Sequence, residues 1–269
     1  MCGIATRARL WSAACCCLKK LAVLPREWLQ RIRAGDRRAI ARAITLVEND
    51  PQRADALRTW LAAGFGRAHV VGITGAAGAG KSTLVGALIG ELLARGNKVA
   101  VVAIDPSSPF TGGAVLGDRI RMAEHQADER VFIRSLAARG HGGGLSRTTA
   151  QVVDILDAAG FDIVLVETVG AGQSDHAIAA LARTRVVVCP PGLGDEVQAL
   201  KAGVLEIADI FVVNKADMPG ADRTARDLQA MPTRPNEHRK RLVLKTVATT
   251  GDGVARLADA IRSHAVAAA

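Results

Sequence analysis

The stretch Gly75-Ala76-Ala77-Gly78-Ala79-Gly80-Lys81-Ser82 decides the fold of this 269-residue chain. An apolar run at 70–73 precedes it, and a helical pattern at 83–93 follows it. Glycines let the backbone curve around phosphates, so that N–H groups and the helix N-terminus face negative charge. Lys81 is placed to reach the outer phosphates and Ser82 to bind magnesium. The stretch therefore predicts a nucleoside triphosphate site between a strand and a helix.

Apolar runs alternate with helical patterns from residue 68 onward. The runs at 99–104 and 163–166 are apolar at nearly every position, which is typical of parallel strands covered on both faces. We therefore predict an α/β fold with a doubly wound, mostly parallel sheet and ligands beyond the C-terminal strand ends. The predicted strands are 69–74, 98–104, 130–134, 161–167, 185–189, 209–214 and 242–247. Residues 26–63 show two or three short amphipathic helices, with Asp36 as an N-cap and Pro51 as a break.

The composition narrows the possible partners and location. Hydrophobic residues make up 49% of the chain, enough for a large core, but no apolar stretch approaches the roughly 20 residues that span a bilayer. We expect a cytoplasmic protein without a membrane partner. The net charge is +9, and residues 1–69 hold thirteen Arg and Lys against five Asp and Glu. With no tyrosine and only 3% aromatic residues, nucleic-acid binding is not expected.

The cysteines predict neither a disulfide framework nor a zinc cluster. Four of the five lie near the N-terminus, at Cys2 and Cys15-Cys16-Cys17. Three adjacent cysteines lack the spacing that lets side chains converge on zinc.

Acidic residues follow three predicted strands, at Asp105, Glu167 and Asp217. A carboxylate at such a strand end, close to a triphosphate, can hold magnesium directly or through water. In the segment after Glu167, the N–H of Gly170 can approach the terminal phosphate because no side chain intervenes. That contact exists only before hydrolysis, so residues 168–176 are a candidate nucleotide-dependent switch.

The segment Asn214-Lys215-Ala216-Asp217 predicts guanine specificity, because it follows a buried strand where a base would lie. The Asp217 carboxylate can accept both the ring N–H and the exocyclic amine of guanine, a pair that adenine does not offer. Val247-Ala248-Thr249, at the end of the last strand, is a candidate backbone contact to the same base.

Together these segments resemble the GTPase family known as MeaB or ArgK. The resemblance covers roughly residues 35–264. It rests on the phosphate loop, Gly35-Asp36-Arg37-Arg38, Asp105-Pro106-Ser107-Ser108-Pro109-Phe110, Gly117-Asp118-Arg119, Glu167-Thr168-Val169-Gly170, Asn214 to Asp217 and residues 245–251.

The resemblance implies a SIMIBI-class GTPase, usually a homodimer, that acts as a chaperone for an adenosylcobalamin-dependent acyl-CoA mutase. It implies that the residues from Gly75 to Thr83 hold the GTP phosphates. It also implies that residues 190–201 form an additional switch. By the same resemblance, Ser82, Asp105, Asp118 and Glu167 are expected to form the magnesium environment. From the sequence as a whole we expect a poorly ordered leader at 1–25, a helical segment at 26–67 and a P-loop GTPase domain at 68–269.

The mechanism expected from these residues is attack of water on the γ-phosphorus of GTP. Lys81 stabilises phosphoryl charge, while Glu167 and Asp105 organise metal and water. No arginine can be singled out as a finger, so intrinsic turnover should be slow, on the order of 10⁻⁴ to 10⁻² s⁻¹.

Three other functions fit parts of the pattern. The ArgK name implies a kinase of amino-acid-binding transport proteins. A nickel metallochaperone calls for a cysteine and histidine cluster, and Cys189-Pro190-Pro191 falls one ligand short. A non-hydrolysing binding module shares the loop but has no need for the acidic strand ends.

Overall fold

A seven-stranded parallel sheet forms the centre of the computed structural model, which describes residues 24–105, 123–137, 142–168, 180–192, 208–231 and 242–267. The spatial order of the strands is β3-β2-β4-β1-β5-β6-β7, and each neighbouring pair is parallel. The predicted sheet is confirmed, with strand bounds shifted by no more than three residues. The strands are β1 His69–Gly75, β2 Val99–Asp105, β3 Val131–Ala137, β4 Ile163–Thr168, β5 Thr184–Cys189, β6 Ile210–Asn214 and β7 Leu242–Thr246.

Helices cover both faces of this sheet, as a doubly wound fold requires. They are α1 Arg26–Arg33, α2 Arg37–Asn49, α3 Pro51–Leu61, α4 Lys81–Ala94, α5 Gly142–Ala158, α6 Ala221–Ala230 and α7 Val254–Ala267. Among the helices in the described ranges, none is both long and apolar enough to cross a membrane.

Two of the three N-terminal helices, α2 and α3, begin at side-chain caps. The Asp36 carboxylate accepts the Ala39 N–H at 2.8 Å, which confirms the predicted N-cap of α2. Asp50 caps α3 in the same way, accepting the Arg53 N–H at 3.0 Å. Pro51 was expected to break a helix, and it occupies the first turn of α3, where its fixed φ is compatible with helix and its missing N–H costs nothing.

The apolar stripe of these helices packs mainly against α5 and shares one hydrophobic core with the sheet. Ile40, Ile44 and Leu57 are fully buried, in one cluster with sheet residues such as Val102 and Val164. Helices α1 to α3 therefore complete one face of the sheet and share its core. The domain boundary at residue 68 stays a prediction, and nearly all of the predicted leader lies outside the described residues.

A buried carboxylate holds the connection between these helices and β1. Asp157, in the last turn of α5, accepts the N–H groups of Gly66, Arg67 (3.1 Å) and Ala68 (2.8 Å). A carboxylate near a helix C-terminus is electrostatically unfavourable, and three N–H donors compensate for that position. The segment entering β1 is thus clamped to α5.

The opposite face of the sheet is covered by α4 and α7. Val71 and Ile73 of β1 point to this side and share a cluster with Leu88 of α4 and Ile261 of α7. Because side chains alternate along a strand, Val70 of the same strand faces the N-terminal helices instead. Both faces are dry, as the apolar strand sequences predict.

Candidate nucleotide-binding site

The loop between β1 and α4 has a backbone path that side chains would block. Gly75 has φ +139°, and a Cβ built on it would lie 1.9 Å from the Val188 carbonyl oxygen. Gly80 has φ +84°, and its Cβ would lie 2.6 Å from the Asn214 amide nitrogen. Glycine is required at both positions, because neighbouring atoms leave no room for a Cβ and because the backbone has a positive φ.

Lys81 lies at the centre of this loop, with its charge held by main-chain oxygens. The side chain is only 6% exposed, and its ammonium group donates to the carbonyls of Gly75 at 3.0 Å and Ala76 at 2.9 Å. Helix α4 begins at Lys81 with no side chain capping its first turn. The positive helix end and the lysine charge therefore act at the same place, which is the arrangement that binds phosphate.

Ser82 and Glu167 bring two oxygen ligands together beside Lys81. The Ser82 hydroxyl donates to the Glu167 carboxylate at 2.7 Å, and both residues are buried. Their proximity follows from the sheet order, because β1 pairs with β4 and Glu167 lies opposite Ile73. A hydroxyl and a carboxylate are oxygen donors of the kind that Mg²⁺ prefers, so the residues present fit this ion.

The other predicted magnesium residues are placed only in part. Asp105 is the last residue of β2, and Ala103 of that strand pairs with Glu167, so the backbone of Asp105 ends at the same sheet edge. Asp118 and Gly170 lie outside the described residues, as do most of the two candidate switches.

Asn214 joins the phosphate loop to the far side of the site. Its side-chain NH₂ donates to the Ala79 carbonyl at 2.9 Å, and its oxygen accepts from the Thr246 hydroxyl and the Ala248 N–H, both at 3.1 Å. The residue is 1% exposed. One buried amide thus holds three segments, which places the loop after β7 in a defined position relative to the phosphate loop.

Two adjacent loops form the side of the site where a base is predicted to lie. Lys215 has φ +58°, unusual for a residue with a side chain, and its Cε lies 3.8 Å from the Cβ position built on Gly80. Ala216 donates its N–H to the Thr246 carbonyl at 3.0 Å, so the segment with Asp217 lies beside the segment that begins at Val247. The Asp217 and Thr249 side chains are exposed. The structure therefore brings together the two segments that sequence analysis assigned to the base.

Sequence analysis missed three threonines in this network. Thr246 anchors Asn214, and the Thr168 hydroxyl donates to the Thr74 hydroxyl at 3.0 Å. All three are at most 3% exposed. The available signal was a hydroxyl at the end of an otherwise apolar strand, a position where an unpaired polar group would be costly.

Two other features lie apart from these residues. A groove of about 780 Å³ on α1 and α2 is lined by Leu24, Trp28 and Leu46, and none of the predicted site residues borders it. Cys189 is fully buried, and burial raises the pKa of its thiol to about 12. A thiol sealed in the core is closed to a metal ion from solvent, which argues against the use of Cys189 by a nickel metallochaperone.

A parallel sheet whose first strand ends in this glycine loop, followed by a helix that begins with Lys81 and Ser82, defines a P-loop nucleoside triphosphatase. A model of the family described as methylmalonyl Co-A mutase-associated GTPase MeaB matches residues 40–269. The chain belongs to this family and is a GTPase. The family resemblance, the fold and the enzyme class predicted from sequence are thereby confirmed.

Individual relatives agree with this assignment. A protein named as a GTPase in Pyrococcus horikoshii is 51% identical over 243 residues, covering 88% of this chain and 77% of that protein. The mouse mitochondrial methylmalonic aciduria type A homolog is 35% identical over 248 residues, covering 85% of this chain and 60% of that protein. Among solved structures, a LAO/AO transport system kinase has a TM-score of 0.70 at 29% identity, covering 93% of this chain and 76% of that one.

Proposed function

We propose that this protein is a GTP-driven switch that acts as a chaperone for an adenosylcobalamin-dependent acyl-CoA mutase, governing cofactor loading and protection. The observation that carries the switch is the buried Ser82–Glu167 contact beside Lys81. The mutase as client is supported by the description of the family that matches residues 40–269. Action in the cytoplasm and assembly as a homodimer belong to the same proposal.

Lys81 and the loop amides would bind the phosphates and stabilise charge on the phosphoryl oxygens. The Lys81 ammonium already lies against the Gly75 and Ala76 carbonyls, so little side-chain freedom remains to be lost when phosphate binds. A preorganised charge in a water-poor loop acts more strongly on phosphate than the same charge in bulk solvent.

Ser82, Glu167, Asp105 and Asp118 would hold Mg²⁺, which supplies charge neutralisation between the outer phosphates when bound. Of these, the Ser82 hydroxyl and the Glu167 carboxylate are adjacent in the structure. Glu167 has a second role in this proposal, the orientation of the attacking water.

Asp217 would read guanine, with Asn214 and Lys215 setting its position. Asn214 holds the phosphate loop and the segment with Ala248 at a constant separation, through hydrogen bonds to both. That separation matters because a base and its phosphates must be bound at once by the two sides of the site. The N–H groups of 247–249 are the proposed backbone contacts.

The switch would begin where β4 ends. Thr168 is the last residue of β4, directly after Glu167, so a change in the contacts of Gly170 would start from a buried and hydrogen-bonded position. Residues 168–176 and 190–201 are the proposed moving segments, and the second is the proposed sensor of the mutase.

The decisive experiment measures binding of a purified adenosylcobalamin-dependent mutase to this protein loaded with a non-hydrolysable GTP analogue, GDP or an ATP analogue. We expect at least a tenfold difference between the GTP and GDP forms and none between the GDP form and the ATP-analogue sample. Equal mutase affinity in the GTP and GDP forms would remove the switch. Light scattering of the same samples tests the homodimer.

A second candidate function is favoured by the similarity to the LAO/AO transport system kinase. In that case the γ-phosphate would pass to a protein acceptor. GTP labelled at the γ-position, incubated with an amino-acid-binding transport protein, distinguishes the two: label on the protein supports the kinase, and label only in free phosphate supports the switch.

A further inference from the structure

Backbone pairing between β1 and β4 stops one residue before the end of β4, and a hydrogen bond between two side chains takes its place. Along the two strands, register partners run from His69 and Ile163 to Ile73 and Glu167. The next position in register is Thr74 opposite Thr168, and here the Thr168 hydroxyl donates to the Thr74 hydroxyl at 3.0 Å. We call this hydroxyl pair, Thr74 and Thr168, the threonine rung.

Backbone pairing on the outer sides of the two strands continues past this point. Thr168 pairs with Ile104 of β2, and β1 pairs with β5 as far as Gly75 and Val188. Only between β1 and β4 does the contact pass to side chains. The threonine rung therefore joins the end of β1, which leads into the phosphate loop, to the end of β4, which carries Glu167.

The rung and the magnesium residues lie on opposite faces of the sheet. Glu167 contacts Ser82 of α4, and its neighbour Leu165 belongs to the cluster on the α4 side. Thr168 follows Val164 and Val166, which face the N-terminal helices, and Thr74 follows Val70 in the same sense. The threonine hydroxyls thus act on the site through the backbone of Glu167 rather than by touching the phosphates.

We infer that the threonine rung positions the Glu167 carboxylate for Mg²⁺ and so sets the Mg²⁺ dependence of GTP binding; this inference rests on the proposed magnesium site. The rung holds the residue after Glu167 against the residue before Gly75. Loss of the rung frees β4 to separate from β1 at the position from which the carboxylate reaches Ser82. Thr74 and Thr168 are positioning residues in this scheme. Partners that orient a metal ligand typically change metal affinity by about 10-fold or more when removed.

The double variant Thr74→Val/Thr168→Val tests the inference without leaving one hydroxyl facing an apolar group. Replacing both partners of a buried hydrogen bond by isosteres costs little stability compared with removing one. Fluorescent GTP and GDP analogues are titrated in EDTA and at increasing Mg²⁺. We expect the double variant to match wild type in EDTA and to need about 10-fold more Mg²⁺ for half of the gain in GTP affinity.

Controls separate positioning from general damage. Thr184→Val removes a buried threonine hydroxyl from the opposite sheet edge and should leave the Mg²⁺ titration unchanged. Thr168→Ser keeps the hydroxyl and should return the Mg²⁺ requirement toward that of wild type. If the double variant does not fold, Thr74→Ala/Thr168→Ala, which also removes both hydroxyls, supplies the same comparison.

The outcomes distinguish this inference from the function on which it rests. A Mg²⁺ effect that is lost in Ser82→Ala but unchanged in the double variant overturns the threonine rung alone. Absence of any Mg²⁺ effect on GTP affinity in the wild-type protein overturns the magnesium site and, with it, the rung.

Discussion

Buried polar networks lie at both ends of the strands, the amino edge where strands begin and the carboxyl edge where they end, but they hold different parts of the molecule. At the amino edge, where strands begin, the Thr184 hydroxyl lies 2.8 Å from His69 Nε2 and 2.8 Å from His264 Nδ1. Arg185 forms a two-pronged ion pair with Asp209 nearby. These contacts are between side chains, and they fasten the end of α7 to the starts of β1 and β5.

At the carboxyl edge several side chains hold the backbone of the loops that form the site. Lys81 donates to two loop carbonyls, and Asn214 contacts the Ala79 carbonyl and the Ala248 N–H. Such contacts restrict the main chain of the loops themselves. The difference lies in what is held: amino-edge contacts fix strands and helices to one another, whereas carboxyl-edge contacts fix the loops whose backbone forms the nucleotide site.

The largest effect is expected from Lys81→Met, which removes the charge at the centre of the loop. We expect the GTP hydrolysis rate to fall by about 10³-fold, because a preorganised charge on the transferred phosphoryl group is lost. Single-turnover hydrolysis measures it. Lys98→Met, at the amino edge, is the matched control, and an equal loss of rate in Lys98→Met would erase the difference between the edges.

Asp217→Ala tests whether base specificity belongs to the carboxyl edge alone. The carboxylate is the proposed acceptor for guanine, so the preference for GTP over ATP should fall by about 10²-fold or more. Competition binding with both nucleotides measures the ratio. Asp162→Ala removes an amino-edge carboxylate that accepts the Lys98 N–H and should leave the ratio unaltered. A GTP preference that survives in Asp217→Ala contradicts the assignment.

Asn214→Ala and Asp157→Ala compare two buried anchors of backbone, one at each edge. Each removes contacts to three groups, so each should lower the free energy of unfolding by about 2–4 kcal/mol. Only Asn214→Ala should also weaken GTP binding by the folded protein. Urea unfolding and GTP titration at low temperature separate the two effects. Normal GTP affinity in Asn214→Ala would show that the anchor serves the fold alone.

The smallest effect concerns acid stability at the amino edge. Burial, with the nearby His264 and Arg183 charges, lowers the pKa of His69 below its usual value of 6.5. The unfolded chain then binds the proton more readily, so His69 contributes stability that is present at neutral pH and lost as the pH falls below about 6.5. Melting curves of wild type and His69→Gln between about pH 7.5 and about pH 5.5 should show Tm falling by about 2–4 °C less in the variant. His125→Gln, whose ring nitrogen contacts the Gly86 carbonyl of α4, is the control. Parallel curves for wild type and His69→Gln would contradict the prediction.

The periodic parts of the fold could be predicted from sequence because burial on both faces leaves strands apolar. The seven strands and the cap of α2 followed from such local patterns. The break predicted at Pro51 is confirmed, because one helix ends at Asn49 and the next begins at Pro51.

The pairing of distant residues could not be predicted in the same way. The contact between Ser82 and Glu167 depends on β4 lying beside β1, an order that strand patterns do not encode. Likewise, the sequence around Asp157 shows only a helical pattern, and its hydrogen bonds to the backbone of residues 66–68 depend on the three-dimensional arrangement. Residue types at the site were predictable, and their partners required the topology.

The Asp157 contacts connect the N-terminal helices rigidly to β1, and β1 ends at the phosphate loop. Because residues 66–68 cannot act as a swivel, a force applied to α1, α2 or α3 is transmitted into β1, whose far end about 20 Å away is Gly75. A tag inserted into residues 62–68 would therefore disturb GTP binding and hydrolysis. The same insertion into a flexible linker would leave both unchanged.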